Sequence, residues 1–289
     1  MIPLILAILF SSVIFAIFKL FVRYGIDTFQ AIVFNYFTAS LFGFGLYGNT
    51  WNPANLIEIS WIPFALTSGV LFISLFVILG LSSQRNGVAI TSVATKMSMA
   101  TGILGMIFLY NESVSFLKIS GIILAFIGVI AISWMKSDNE KGKGSWWMLL
   151  LLFFGSGILD IVLNYAQKNA LGTLTPSLFS AFGLATAGIL GLLILIIQLI
   201  QKKTRIELKN ILAGIVLGIP NYFSIYLLIS SYKSTGWRDS TVLSIINVSV
   251  VLISALIGLL FFHEKINRLK LLGLICSLLA IALLYFGEG

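Results

Sequence analysis

Three charged side chains stand where charge is expensive. Lys19, Lys96 and Asp160 each fall inside a long apolar run, and a charge at the centre of a bilayer costs about 3 kcal/mol even on a mild scale. Two kinds of chemistry justify such residues. One is a static ion pair that ties helices together. The other is a wet cavity in which a lysine holds an anionic group and a carboxylate carries a proton. Lys96 stands in ITSVATKMSMATGILG (90–105), about 13 Å along its run when counted from Gly87. Asp160, counted from the same face, lies about 22 Å deep, so a lysine, an aspartate and one water bridge the difference. Both a static Lys96–Asp160 pair and a substrate or proton-coupling site fit that arithmetic. Lys19 lies within a turn of the end of its run and is expected to snorkel to the interface.

Other polar residues converge on the same depth. Asn164 is one turn from Asp160, and Asn247 lies about 18 Å into its own run. The stretch GIPNYFSIY (218–226) sets Pro220 beside Gly218 in the middle of another run. Proline removes a backbone donor and leaves the carbonyl of Val216 without its helical partner, so a kink, break or hinge is expected there. Asn221, Tyr222 and Tyr226 follow directly, the two tyrosines sharing a helix face. Together with Lys96, Asn247, Asn164 and Lys19 they form the expected substrate-binding set, with Asp160 as the coupling group.

Hydrolytic and metal chemistry are not expected. His263–Glu264 looks like half of a zinc-protease motif, but the chain has a single histidine, and the motif needs two. The single cysteine, Cys276, excludes a disulfide within the chain. No phosphate-binding loop is present. The expected protein is not an enzyme and needs no cofactor.

The elements that must carry these residues follow from composition. The chain has 289 residues, 59% of them hydrophobic and 10% charged, with mean hydropathy +1.06. Apolar runs occupy about 2–22, 28–48, 61–82, 88–108, 116–135, 146–166, 174–200, 210–231, 239–262 and 267–286. Each is long enough to cross a hydrocarbon core of ~30 Å as a helix, and none alternates as a barrel strand does. The first run has no basic segment before it and reads as a helix, not a cleaved leader. The net charge of +8 sits mainly in the turns between runs, so nucleic acid is not an expected partner; lipid bilayer and a small molecule are.

The chain also repeats itself. FLYNESVSFLKISG (108–121) aligns without gaps on LFFHEKINRLKLLG (260–273), setting Glu112 on Glu264, Lys118 on Lys270 and Gly121 on Gly273 at a spacing of 152. A spacing of 145 sets Phe34 and Phe37 on Phe179 and Phe182. The halves are 1–135 and 146–289, joined by a polar linker at 136–145. With five runs each, an odd number, the second half enters the membrane from the opposite side. The expected fold class is an all-α integral membrane protein of ten transmembrane helices in two inverted five-helix repeats, a plan typical of secondary transporters.

Two five-helix halves, each with a Glu-x5-Lys-x2-Gly turn before its last helix, resemble the EamA-type members of the drug/metabolite transporter superfamily. The resemblance covers essentially the whole chain. It implies transport without naming a cargo; with Lys96 as the cation for an anionic group, the expected protein is a secondary transporter of a small polar metabolite, amino-acid-like or another carboxylate, working by alternating access, with export the expected direction. A flippase for a lipid-linked sugar is the alternative that the same resemblance leaves open.

Three further expectations concern setting. Glu112 and Glu264, at tight turns, are expected to cap the helix that follows each of them. Arg23, Arg85, Lys136, Lys141, Lys143, Lys202, Lys203, Arg205, Lys209, Lys265, Arg268 and Lys270 share the linker's side, against Lys118, Lys168, Lys233 and Arg238 on the other. That bias places the linker in the cytoplasm and both termini outside. The expected location is the cell membrane (the inner one in a Gram-negative cell), as a monomer or homodimer.

Overall fold

The computed structural model describes residues 1–47, 59–110, 115–133, 145–171, 174–235, 239–264 and 268–287. They form α1 (Ile2–Tyr24), α2 (Thr28–Tyr47), a 3-10 turn (Ile59–Trp61), α3 (Ile62–Arg85), α4 (Val88–Met97), α5 (Met99–Tyr110) and α6 (Phe116–Ser133). The second half continues with α7 (Trp146–Asn169), α8 (Pro176–Ile200), α9 (Leu208–Thr235), α10 (Asp239–Phe262) and α11 (Arg268–Gly287). No strand occurs among the described residues. Helices are what lipid demands, because each satisfies its backbone polar groups within its own segment.

Eight stretches among the described residues are long and apolar enough to cross a membrane: Ile2–Tyr24, Thr28–Leu46, Ile62–Arg85, Val88–Leu109, Trp146–Ala166, Ser177–Ile200, Leu208–Leu228 and Ile245–Phe262. α6 and α11 contribute shorter apolar stretches, Phe116–Gly128 and Leu271–Gly287. The protein is a multi-pass, all-helical membrane protein. Of the linker at 136–145, only Ser145 lies within the described residues, and Glu112 lies outside them.

Local chemistry sets the helix ends. Gly25 takes φ 57 after α1, and Ile26 N–H then closes back on the Phe21 carbonyl at 2.9 Å, the glycine-dependent left-handed ending of a helix. Asp27 accepts from Phe29 N (2.9 Å) and Gln30 N (3.1 Å) and so caps α2. Thr175 caps α8, with Pro176 in the first helical position where its missing N–H costs nothing.

One expected element is divided. The run at 88–108 forms two helices, α4 and α5, that meet at Ser98. The cause is visible in the hydroxyls. Ser92 donates to the Ala89 carbonyl (2.8 Å), Thr95 to Thr91 (2.8 Å) and Ser98 to Thr95 (2.6 Å). Hydroxyls bonded back to the preceding turn compete with the backbone ladder and bend helices. α9, by contrast, runs unbroken through Pro220.

Two compact units share the chain: Met1–Leu20, Ile78–Ile158 and Ser224–Gly289 in the first, Phe21–Val77 and Leu159–Phe223 in the second. In the first unit, α6 and α11 lie antiparallel. Gly121 faces Leu284, Gly128 faces Cys276 and Ser277, and Gly287 faces Leu117 and Lys118. α4 and α10 are antiparallel too, with Gly258 beside Ala89 at one end and Asn247 on Met99 at the other. Val93, Met97, Ala100, Phe153, Val251 and Ile281 fill the core of this unit.

In the second unit α2 and α8 are antiparallel: Gly191 packs on Val33, Gly188 on Tyr36 and Phe37, and Ala181 on Gly43. α9 runs parallel to α2, with Gly214 against Ala31 and Phe34 and Gly218 against Asn35 and Thr38. A methyl group on Gly218 would stand 2.6 Å from Thr38 Cβ and 2.8 Å from the Asn35 carbonyl, so Gly214-x3-Gly218 acts here as a close-contact face. Gly45, by contrast, has nothing within 4 Å of its would-be Cβ among the described residues. An aromatic cluster of Phe44, Trp61 and Phe182, with centroid spacings of 4.8–5.0 Å, closes this unit's core.

Candidate functional site

The break at Ser98 changes the meaning of Lys96. The lysine occupies the last turn of α4, the end of a helix at which the dipole favours a cation. It is half-buried, between Ala94 and Met97, which are both buried. Across the break, Asn247 of α10 is buried and donates its amide to Met99 Sδ at 3.4 Å. A thioether is a weak acceptor. Thr101, in the first turn of α5, has no hydrogen-bond partner for its hydroxyl among the described residues. Gly157 of α7 packs on this corner; a Cβ there would meet Thr101 Cβ and stand 3.0 Å from the Ser98 carbonyl. Tyr226, also in the first unit, is half-buried on α9.

Lys19 reaches toward the ends of neighbouring helices and finds a carboxylate there. Its ammonium lies 3.5 Å from Glu264 Oε1, with both side chains about one-sixth exposed (16% and 15%), and it donates to the Gln84 carbonyl at 3.3 Å. Glu264 Oε1 also accepts from Val88 N at 2.9 Å. The glutamate therefore caps a helix, as its position suggests, and among the described residues the helix it caps is α4. The reason is geometric: α10 runs antiparallel to α4, so the turn after α10 arrives at the start of α4.

In the second unit, Asn221 donates to Asn35 Oδ1 at 3.1 Å, with both residues buried. Asn35 Nδ2 has no hydrogen-bond partner among the described residues. Tyr222 is buried, stacked on Phe42 at 5.9 Å and edge-on to Phe223 at 5.5 Å. Pro220 and Gly218 precede them on α9. Asp160 is exposed on α7, and Asn164, one turn on, is half-buried. The structure thus gathers Asn221 and Tyr222 with Pro220 and Gly218 in one unit, and Lys19, Lys96, Asn247 and Tyr226 in the other.

The model of the EamA-like transporter family matches residues 142–286 of this chain. An uncharacterized protein of Haemophilus influenzae (strain Rd) is 30% identical, over 98% of this chain and 97% of its own. The chain belongs to the EamA-like transporter family. A chloroplastic WAT1-related protein of Arabidopsis thaliana is 27% identical over 71% of this chain and half of its own length. A crystal structure of a protein 14% identical superposes with a TM-score of 0.60, covering 98% of this chain and 94% of that one, which speaks for the fold alone.

As an EamA-type drug/metabolite transporter, the protein moves small molecules across a bilayer, and its polar residues are read against that task. Two buried networks in this transporter escaped the sequence reading. Gln30 Nε2 donates to Thr204 Oγ1 (2.7 Å) and the Arg205 carbonyl (3.0 Å), while Asn210 Nδ2 donates to Gln30 Oε1 (3.0 Å) and Asp27 N to Asn210 Oδ1 (3.0 Å). In the other unit, Ser145 N donates to Asn86 Oδ1 (2.9 Å), and Asn86 Nδ2 donates to Ser82 Oγ (2.9 Å). The first had a readable signal, since Asp27-x-x-Gln30 before an apolar run has the form of a capping box. The second had none.

Proposed function

We propose that this transporter is a secondary carrier, in the cell membrane, that exports a small polar metabolite bearing a carboxylate or similar anionic group. Within the first unit, Lys96 faces the anionic group, Asn247 and Tyr226 orient the remainder and Lys19 adds to the polar surroundings. In the second unit, Asp160 takes up a coupling proton, with Asn164, Asn221 and Tyr222 as its polar neighbours in the sequence reading and Pro220 with Gly218 as the hinge. The observation that carries this reading is the interruption at Ser98, which sets a cation in the last turn of α4 with the buried Asn247 amide on Met99 just across it. Interrupted helices with free ends mark the binding sites of secondary transporters.

Ten crossings in two inverted halves, 1–135 and 146–289, are the architecture we propose for it. Support comes from three helix pairs. The 152-residue spacing equates α4 with α10 and α6 with α11, and the 145-residue spacing equates α2 with α8. Each of these equated pairs packs antiparallel. Elements exchanged by a twofold axis lying in the membrane plane run antiparallel when they meet beside it.

The test is ligand-induced stabilisation of the detergent-solubilised protein across amino acids, other carboxylates, sugar phosphates and amines. A ligand at a hundredfold its dissociation constant stabilises by ~2.7 kcal/mol, a plain shift in unfolding midpoint. Carboxylates should shift it. A response confined to amines, or to lipid-linked sugars added to the same screen, would overturn the reading.

A further inference from the structure

We infer that Glu264 is a positioning residue: by capping α4 from the α10–α11 turn it fixes the orientation of the short helix that carries Lys96. The inference rests on the reading of Lys96 as the substrate cation, and it deepens that reading.

α4 is short: it has ten residues, and helices below about 12–15 residues depend on packing and capping more than on propensity. Ile90, Val93, Ala94 and Met97 pack its side into the core, which leaves its start to be fixed by a cap. Its own N-cap is Gly87, at φ 98, which has no side chain to satisfy the first free N–H groups. Its other end stops at Ser98. The missing cap comes from a residue 176 positions away in the chain, through Val88 N–H to Glu264 Oε1 at 2.9 Å.

The chain is shaped to deliver that carboxylate. His263 takes a left-handed φ of 50, a strained value for a histidine, and Glu264 N–H then closes on the Gly258 carbonyl at 2.9 Å. Two glycines make the slot. A Cβ on Gly87 would stand 2.7 Å from Glu264 Oε2, and one on Gly258 the same distance away. Lys19 holds the carboxylate from a third side and is itself tied to α3 through the Gln84 carbonyl. The start of α4 is therefore anchored to α1, α3 and α10 at once. Lys96 lies eight residues on, about 12 Å along the same rigid rod.

Reach and charge separate the roles of Glu264. Glu264→Gln keeps a side-chain oxygen at the right distance and loses the charge; Glu264→Asp keeps the charge and loses a methylene of reach. The probe is the rate of alkylation of Lys96→Cys, in a Cys276→Ser background, by an anionic methanethiosulfonate in detergent. This rate reads the position of α4 whether or not Lys96 touches substrate, so its failure is distinct from failure of the carboxylate screen above. Glu264→Asp should change the rate about tenfold, equivalent to losing a cap worth ~1.4 kcal/mol, and Glu264→Gln should leave it near the parent's. A circular-dichroism melt of each variant checks that it is folded. Equal rates in all three proteins, or a rate that follows charge rather than reach, would overturn the inference.

Discussion

Gly258→Ala is the most informative small perturbation of this protein. Alanine is the better helix former, and an unhindered glycine-to-alanine change inside a helix gains about 0.5–1 kcal/mol. Here the new methyl would stand 2.7 Å from Glu264 Oε2 and 3.2 Å from its carboxyl carbon. The carboxylate already occupies the space that a Cβ on Gly87 would need, 2.7–2.8 Å away, so it lies close against that backbone and has little room to shift while keeping its bonds. It must leave Val88 N–H and Lys19. The lost cap is worth about 1–2 kcal/mol, and the partly exposed ion pair adds up to ~1 kcal/mol. After the helix-forming gain, the variant should be destabilised by about 1–2 kcal/mol. Gly45→Ala is the control, since its Cβ meets nothing within 4 Å; it should be neutral or slightly stabilising. The assay is the unfolding midpoint of wild type, both variants and Glu264→Ala, alone and combined with Gly258→Ala, in one detergent. If the carboxylate is the obstacle, the two changes are strongly non-additive, because Gly258→Ala has nothing left to displace once Glu264 is truncated. Additive effects, or a Gly258→Ala as stable as Gly45→Ala, would refute the clasp.

Three further outcomes are expected. Pro220→Ala restores a backbone donor inside α9 and should raise stability in detergent while slowing transport, because a stiffened helix resists the swing between access states; an unchanged transport rate counts against a hinge there. Asp160→Asn should leave substrate binding intact but remove the response of transport to a pH gradient, measured in proteoliposomes; a wild type indifferent to the gradient would end the coupling role. Asn221→Leu strands the buried Asn35 amide and should lower the unfolding midpoint by an amount equal to about 1–3 kcal/mol, whereas replacing both asparagines by leucine should recover much of it; no recovery would mean that the pair is not an isolated buried couple.

Much of the helix layout is legible in the sequence, because in a membrane the length of an apolar run and the length of a helix answer to the same hydrocarbon thickness. α10 begins and ends at the expected 239 and 262, and α2 and α6 at the expected positions within two residues. Hydropathy was blind to the break at Ser98. Ser92, Thr95 and Ser98 are small enough to pass as membrane residues, and only their hydrogen bonds reveal that they bend the helix. Partnership was equally hidden. That Glu264 is a cap could be argued from its place at a turn, but which helix it caps depends on the antiparallel course of α4 and α10. The partner of Lys19 is hidden for the same reason: the Glu264 carboxylate it meets is far along the chain. Lys96 was found by its cost alone, and its position at a helix end emerged only with the fold.

The central claim is that Lys96 holds an anionic group of the substrate. The direct measurement is the carboxylate-induced shift in unfolding midpoint of wild type against Lys96→Ala, with equal far-ultraviolet circular dichroism establishing that both are folded. The account predicts a saturable shift in the wild type that disappears in Lys96→Ala, together with loss of carboxylate exchange in proteoliposomes. A Lys96→Ala protein that still binds and exchanges the same carboxylate would contradict it.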